Sequence, residues 1–149
     1  MPQPVPDKKA SNLRLRLISA AILAPAVLAV LYIGFPFVEL LVLAIAVGAS
    51  WEWAGLCGQG RVGPAGRLTV AATALPVIAG ALGHYDLVPW ILLAGLVVTL
   101  VVAWRGAEGP APWYGLAIFY ISLACLGFIW LRRLPGDGRE LIFWLILVI

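Results

Sequence analysis

Two long apolar runs joined by three residues constrain this chain more than any other feature. The first run covers residues 17–33, the second covers residues 37–56, and Gly34-Phe35-Pro36 separates them. A helix needs about 20 apolar residues to cross the roughly 30 Å hydrocarbon core of a bilayer. Because the connection is so short, the two runs predict an antiparallel helical hairpin in lipid.

Further apolar runs follow the hairpin, at residues 68–83, 87–104, 113–131 and 141–149. The runs are continuous rather than alternating, and a backbone in lipid must satisfy its own hydrogen bonds, so they predict helices. The mean hydropathy is +1.03 and only 11% of the residues are charged, against about 25% in a soluble domain. We predict an all-α integral membrane protein, a polytopic helical bundle with about five full transmembrane helices and a truncated sixth.

The two ends of the chain differ from the rest. Residues 1–16 are polar and rich in proline, and they predict a disordered basic tail rather than a cleaved signal peptide. The last run covers only residues 141–149, about 14 Å of helix at 1.5 Å per residue. We therefore expect residues 17–149 to be the N-terminal transmembrane domain of a longer protein.

Basic residues near the ends of the runs predict the orientation, because Lys and Arg accumulate on the cytoplasmic side. If every run crosses, a cytoplasmic N-terminus puts seven of the ten basic residues inside and leaves Arg132, Arg133 and Arg139 outside. The run at 68–83, which contains Pro76, could instead re-enter on the side from which it came. In that case nine basic residues lie inside and one lies outside. Both alternatives have a cytoplasmic N-terminus, and the side of the Arg132-Arg133 loop stays open.

Glu52 is the least expected ionisable residue. It lies between Trp51 and Trp53 near the end of the second run, where the helix dipole disfavours a carboxylate. Counting outward from the turn brings Arg16 to the same depth, with Arg14 close by. We predict that Arg14, Arg16 and Glu52 form either an interfacial ion pair or a site for a lipid headgroup or nucleotide.

The other polar patterns indicate no catalytic chemistry. Residues 58–63 match G-x-G-x-x-G, but they follow a membrane run rather than a strand, so they predict a connector. The seven acidic residues are scattered and His84 is the single histidine, so no metal site is expected. The basic residues lie where topology requires them, so nucleic acid is not an expected partner. Cys57 and Cys125 lie at different depths and are predicted to be free thiols.

Two further patterns concern packing. Pairs of small residues, such as Ala44 and Gly48, allow close helix contact. They allow a homodimer without indicating one. Most of the tryptophans lie near the ends of runs, which predicts an interfacial aromatic belt.

Four short stretches carry a resemblance to a known family: Leu15–Ala20 followed by Pro25, Trp51–Ala54, Phe128–Arg132 and Leu141–Trp144. In these stretches the chain resembles the N-terminal part of bacterial phosphatidate cytidylyltransferases, the CDP-diacylglycerol synthases. The resemblance implies an enzyme of the bacterial inner membrane that condenses phosphatidic acid with CTP, using Mg²⁺, and releases pyrophosphate. Its signature residues belong to a C-terminal half that is absent here.

No catalytic residue can therefore be assigned in this chain, and we expect the fragment to bind no metal and to be inactive alone. The competing interpretation is a small non-enzymatic membrane scaffold or assembly partner.

Overall fold

The computed structural model describes residues 8–106 and 109–148, with side chains from Ile18 onward except Ala20. Within these residues the chain forms six helices: α1 (Lys8–Ile33), α2 (Phe37–Cys57), α3 (Pro64–Ala81), α4 (Val88–Gly106), α5 (Ala111–Arg132) and α6 (Gly138–Val148). No strand occurs among these described residues. The predicted all-α class is confirmed, as is the three-residue turn between α1 and α2.

In the part of the chain that the structure describes, three helices are long and apolar enough to cross a membrane, namely α2, α4 and α5, and a shorter apolar helix covers Ala21–Ile33. The chain is therefore a multi-pass helical membrane protein. The prediction of about five full spans exceeds the three that qualify by their own length and hydropathy. At α3 the reason is that Arg67, Thr69 and Thr73 lower the hydropathy of the helix. This helix also buries nine of its 18 residues inside the bundle.

The first helix begins earlier than predicted. It starts at Lys8, inside the stretch 1–16 that we predicted to be a disordered tail. No glycine or proline occurs between Lys8 and Leu17, and Lys, Ala, Leu and Arg are good helix formers, so the helix extends beyond the apolar run. Residues 1–7 lie outside the described residues, and the prediction for them stays a prediction.

The third helix bears on the choice between crossing and re-entry. It is a continuous helix of 18 residues with Pro76 inside it, about 27 Å long at 1.5 Å per residue. A re-entrant segment reverses direction at membrane depth, and no reversal occurs between Pro64 and Ala81. The helix packs against α2, α4 and α5. Its geometry supports the alternative in which every run crosses.

Small residues allow the central helices to approach closely. A Cβ added to Gly95 in α4 would lie 2.7 Å from the Cβ of Ala72 in α3, and one added to Gly66 in α3 would lie 3.1 Å from the Cβ of Ala54 in α2. Buried hydroxyls within this region donate to carbonyls four residues earlier, for example Thr73 to Thr69 at 2.8 Å. Such bonds satisfy a polar group that lipid could not.

The antiparallel arrangement gathers the connections at two ends of the bundle. End A contains the connection 58–63, the end of α4 and the start of α5. End B contains the connections 34–36, 82–87 and 133–137. The candidate sites lie at these two ends.

Candidate functional site

The predicted site at end A is tested only in part. Glu52 is exposed on α2, and it has no ion pair with any residue whose side chain the structure describes. The side chains of Arg14 and Arg16 lie outside the described residues. The ion pair and the headgroup site that we predicted for these three residues therefore both stay predictions.

At end B, the guanidinium of Arg133 joins two other helices to the end of α5. Its Nη2 lies 3.2 Å from Oε1 of Glu39, in the first turn of α2. Its Nη1 donates to the carbonyl of Gly80 at 3.3 Å, and its Nη2 also donates to the carbonyl of Ala81. These carbonyls end α3, where the last oxygens lack N–H partners within the helix and carry partial negative charge.

Arg132, the last residue of α5, contacts the end of α1. Its Nη2 donates to the carbonyl of Leu31 at 3.5 Å. Gly34 permits this approach, because a Cβ there would lie 2.7 Å from Nη2 of Arg132, and its φ of +84° suits glycine. We call Glu39, Arg132 and Arg133, with the carbonyls they contact, the arginine clamp.

Within the clamp, the carboxylate of Glu39 compensates the charge of Arg133. The side chains of Arg133 and Glu39 are 32% and 11% exposed. A guanidinium can serve several acceptors at once because it presents five N–H donors in one plane. Oε2 of Glu39 and Nε of Arg132 are buried without a hydrogen-bond partner among the described protein atoms. The clamp is thus a structural assembly of helix ends, formed by groups that water reaches only in part.

Sequence reasoning missed this assembly. It did not assign a functional role to Glu39, and it left the side of the Arg132-Arg133 loop open. The available signal was a cation in the last turn of α5 and an acid in the first turn of α2, each favourable for a helix dipole. Nothing in the sequence showed that Glu39 and Arg133 are partners.

End A carries a cleft of about 510 Å³, lined by Trp53, Leu56, Cys57, Gln59, Pro110 and Trp113. We call it the indole cleft. The Nε1 of Trp53 donates to the carbonyl of Trp113 at 3.0 Å, and its ring lies 6.4 Å from that of Tyr120. These contacts fix one wall of the cleft. Because no charged side chain among the described residues lines it, the cleft suits an apolar or amphipathic group better than a bare phosphate.

Most of the tryptophans that we predicted to form an aromatic belt lie on the surface of the bundle, and their position at the membrane interface stays a prediction. Trp51, Trp90, Trp104, Trp113 and Trp130 are each at least half exposed. Trp53 is different, because it is half-buried and bonded to α5. It therefore contributes to packing between helices as well as to the interface.

The predicted free thiols are confirmed, and their surroundings differ. Cys57 lines the indole cleft, whereas Cys125 is 7% exposed within the core. We expect a maleimide to label Cys57 at least about tenfold faster than Cys125, since an attacking thiolate needs access. Mass spectrometry of labelled peptides measures both rates, and Cys57→Ser should abolish the fast phase that Cys125→Ser leaves intact. Equal rates would contradict the burial of Cys125.

The described residues do not match the metal that the resemblance implies. No group of three or more His, Cys, Asp or Glu side chains in residues 18–106 and 109–148 is placed to hold an ion. Mg²⁺ therefore has no fitting set of donors in this part of the chain, and no reaction step is derived through it.

The helices and the two ends define a polytopic α-helical membrane protein. Among curated proteins, a phosphatidate cytidylyltransferase of Pseudomonas aeruginosa is 32% identical to it over 148 residues. The similarity covers 91% of this chain and 53% of that protein, so the chain spans about half the length of the relative. No protein-family model matches the chain, and no solved structure matches it.

Proposed function

We propose that this chain is the membrane portion of a phosphatidate cytidylyltransferase. Such an enzyme joins CTP to phosphatidic acid, which yields CDP-diacylglycerol and pyrophosphate. The observation that carries the proposal is the similarity to the enzyme of that name from Pseudomonas aeruginosa across 91% of this chain. A helical membrane bundle is a suitable setting, because the acyl chains of the lipid substrate can stay in the bilayer while the phosphate reacts at the interface.

We also propose that this chain is inactive alone. Attack of the lipid phosphate on the α-phosphorus of CTP brings two anions together, and divalent cations normally offset their charge. In this proposal the Mg²⁺, the CTP and the reacting phosphate are bound with residues from the half of the relative that this chain does not span.

The proposed location is the bacterial inner membrane, with the N-terminus and end A in the cytoplasm. Support comes from Arg61, Arg67 and Arg105, which lie at end A with exposed side chains. Exposed cations flanking membrane helices favour the cytoplasmic side.

The test compares two products of the encoding gene in membranes that lack endogenous activity. One is the 149-residue chain, and the other is the complete reading frame read past codon 149. We expect pyrophosphate release that depends on CTP, phosphatidic acid and Mg²⁺ from the complete frame only. Release by the 149-residue chain would overturn the proposed inactivity. A frame that stops after codon 149 and gives no activity would favour the scaffold interpretation instead.

A further inference from the structure

The six arginines whose side chains the structure describes divide into two groups by environment. Those at end A, Arg61, Arg67 and Arg105, are exposed and make no side-chain hydrogen bond or ion pair with the described residues. The three arginines at end B all have partners within the protein. Arg132 and Arg133 belong to the arginine clamp, and the guanidinium carbon of Arg139 lies 5.7 Å from the centre of the Tyr32 ring, within the range of a cation–π contact.

Every partner of the end B arginines lies earlier in the chain. Leu31 and Tyr32 belong to α1, Glu39 to α2, and Gly80 and Ala81 to α3. A chain inserted from its N-terminus therefore has these acceptors in place when the end of α5 arrives. The positive charges in and beside the connection 133–137 can then interact with groups of the protein rather than with anionic lipid.

We infer that Glu39 is a charge-compensating residue whose ion pair with Arg133 allows the α5–α6 connection to lie on the non-cytoplasmic side of the membrane. Glu39 is the one carboxylate of the arginine clamp, and its Oε1 lies 3.2 Å from Nη2 of Arg133. Without the carboxylate, the guanidinium of Arg133 keeps only the neutral carbonyls of Gly80 and Ala81 as acceptors, and its positive charge has no counter-charge within the clamp. That charge draws the connection toward the anionic cytoplasmic leaflet. The inference rests on the proposed orientation and not on the proposed enzymatic activity.

The experiment maps the side of the connection with an impermeant maleimide. A single cysteine is introduced as Pro135→Cys in a Cys57→Ser, Cys125→Ser background, since residue 135 is exposed and uncharged. Intact cells report labelling from outside, and inverted membrane vesicles report labelling from the cytoplasmic side. We expect the parent to label from outside. Glu39→Gln should raise the ratio of cytoplasmic to outside labelling about fivefold, the effect of one freed cation near an anionic leaflet.

Two variants make the result decisive. Glu39→Gln combined with Arg133→Gln removes both charges and should restore the parental ratio, even where the single variant accumulates poorly. If the clamp served packing alone, the double variant would be no better than the single one, and the inference would be overturned. Asp137→Asn removes an exposed carboxylate of the same connection that has no ion pair among the described residues, and it should leave the ratio unchanged.

The outcomes separate this inference from the orientation on which it rests. Labelling of the parent from the cytoplasmic side would show that the orientation is wrong. Outside labelling of the parent that persists unchanged in Glu39→Gln would keep the orientation and refute the role of Glu39.

Discussion

Arg133→Ala is expected to lower the free energy of unfolding of the bundle by about 3 kcal/mol, the cost of leaving a largely buried charge without its partner. The substitution removes the cation from Glu39, which is only 11% exposed. It also removes the donors to the carbonyls of Gly80 and Ala81 at the end of α3. Three helix ends would lose their common link, since α2, α3 and α5 all contribute to the clamp. Unfolding of the purified protein by added sodium dodecyl sulfate in mixed micelles, followed by circular dichroism, measures the change.

Arg105→Ala provides the matched control for this prediction. Arg105 lies in the last turn of α4, as Arg132 lies in the last turn of α5, but its side chain is exposed and unpaired within the described residues. Removal of such a cation should change stability by less than about 0.5 kcal/mol. Equal losses from Arg133→Ala and Arg105→Ala would show that the clamp contributes nothing specific.

Gly95→Ala is expected to destabilise the bundle by about 2 kcal/mol, a typical cost of overpacking a filled interior. The new Cβ would lie 2.7 Å from the Cβ of Ala72 and 3.3 Å from its Cα. Because the second of these atoms belongs to the backbone of α3, the clash is relieved only when α3 and α4 move apart. The same unfolding measurement in mixed micelles detects the loss.

Gly48→Ala makes the same chemical change at a position where the added Cβ has no close neighbour. Gly48 is also inside a helix, and a Cβ there would meet nothing within 4 Å. Alanine favours a helix over glycine by up to about 1 kcal/mol, so this variant should be neutral or more stable. Opposite signs for the two substitutions are the expected result. A loss of stability at Gly48 similar to that at Gly95 would show that the loss at Gly95 does not come from the clash with Ala72.

Much of the fold follows from local patterns in the sequence. The turn at residues 34–36 was predicted, and α2 extends only one residue beyond the predicted run at 37–56. The start of α1 was predicted less well. Hydropathy alone places that start at Leu17, but the residues before Leu17 have high helix propensity and extend the helix toward the N-terminus. The start of α6 is three residues earlier than the apolar run at 141–149, since Gly138 and the two residues after it are helical but polar or small.

The sequence predicted the candidate sites less well than it predicted the fold. We predicted a site at Glu52 because this carboxylate interrupts an apolar helix. In the structure Glu52 is exposed and has no ion pair within the described residues. Glu39 is the acid whose partner the structure shows. Both carboxylates lie on α2, and their positions relative to the helix dipole favoured Glu39 for a role at a helix start. The identity of its partner required the path of α5.

By itself the sequence determined that this protein is a multi-pass helical membrane protein, because runs of apolar residues and the need to satisfy the backbone in lipid leave few alternatives. Only the tertiary structure decided what the end B arginines do. Arg132 and Arg133 meet partners that are 101, 94 and 53 residues away in the chain, and a linear pattern does not encode such separations. It is the antiparallel return of α5 beside α2 and α3 that brings a guanidinium to one carboxylate and two helix-end carbonyls, and thereby turns an unfavourable loop charge into a contact that stabilises the fold.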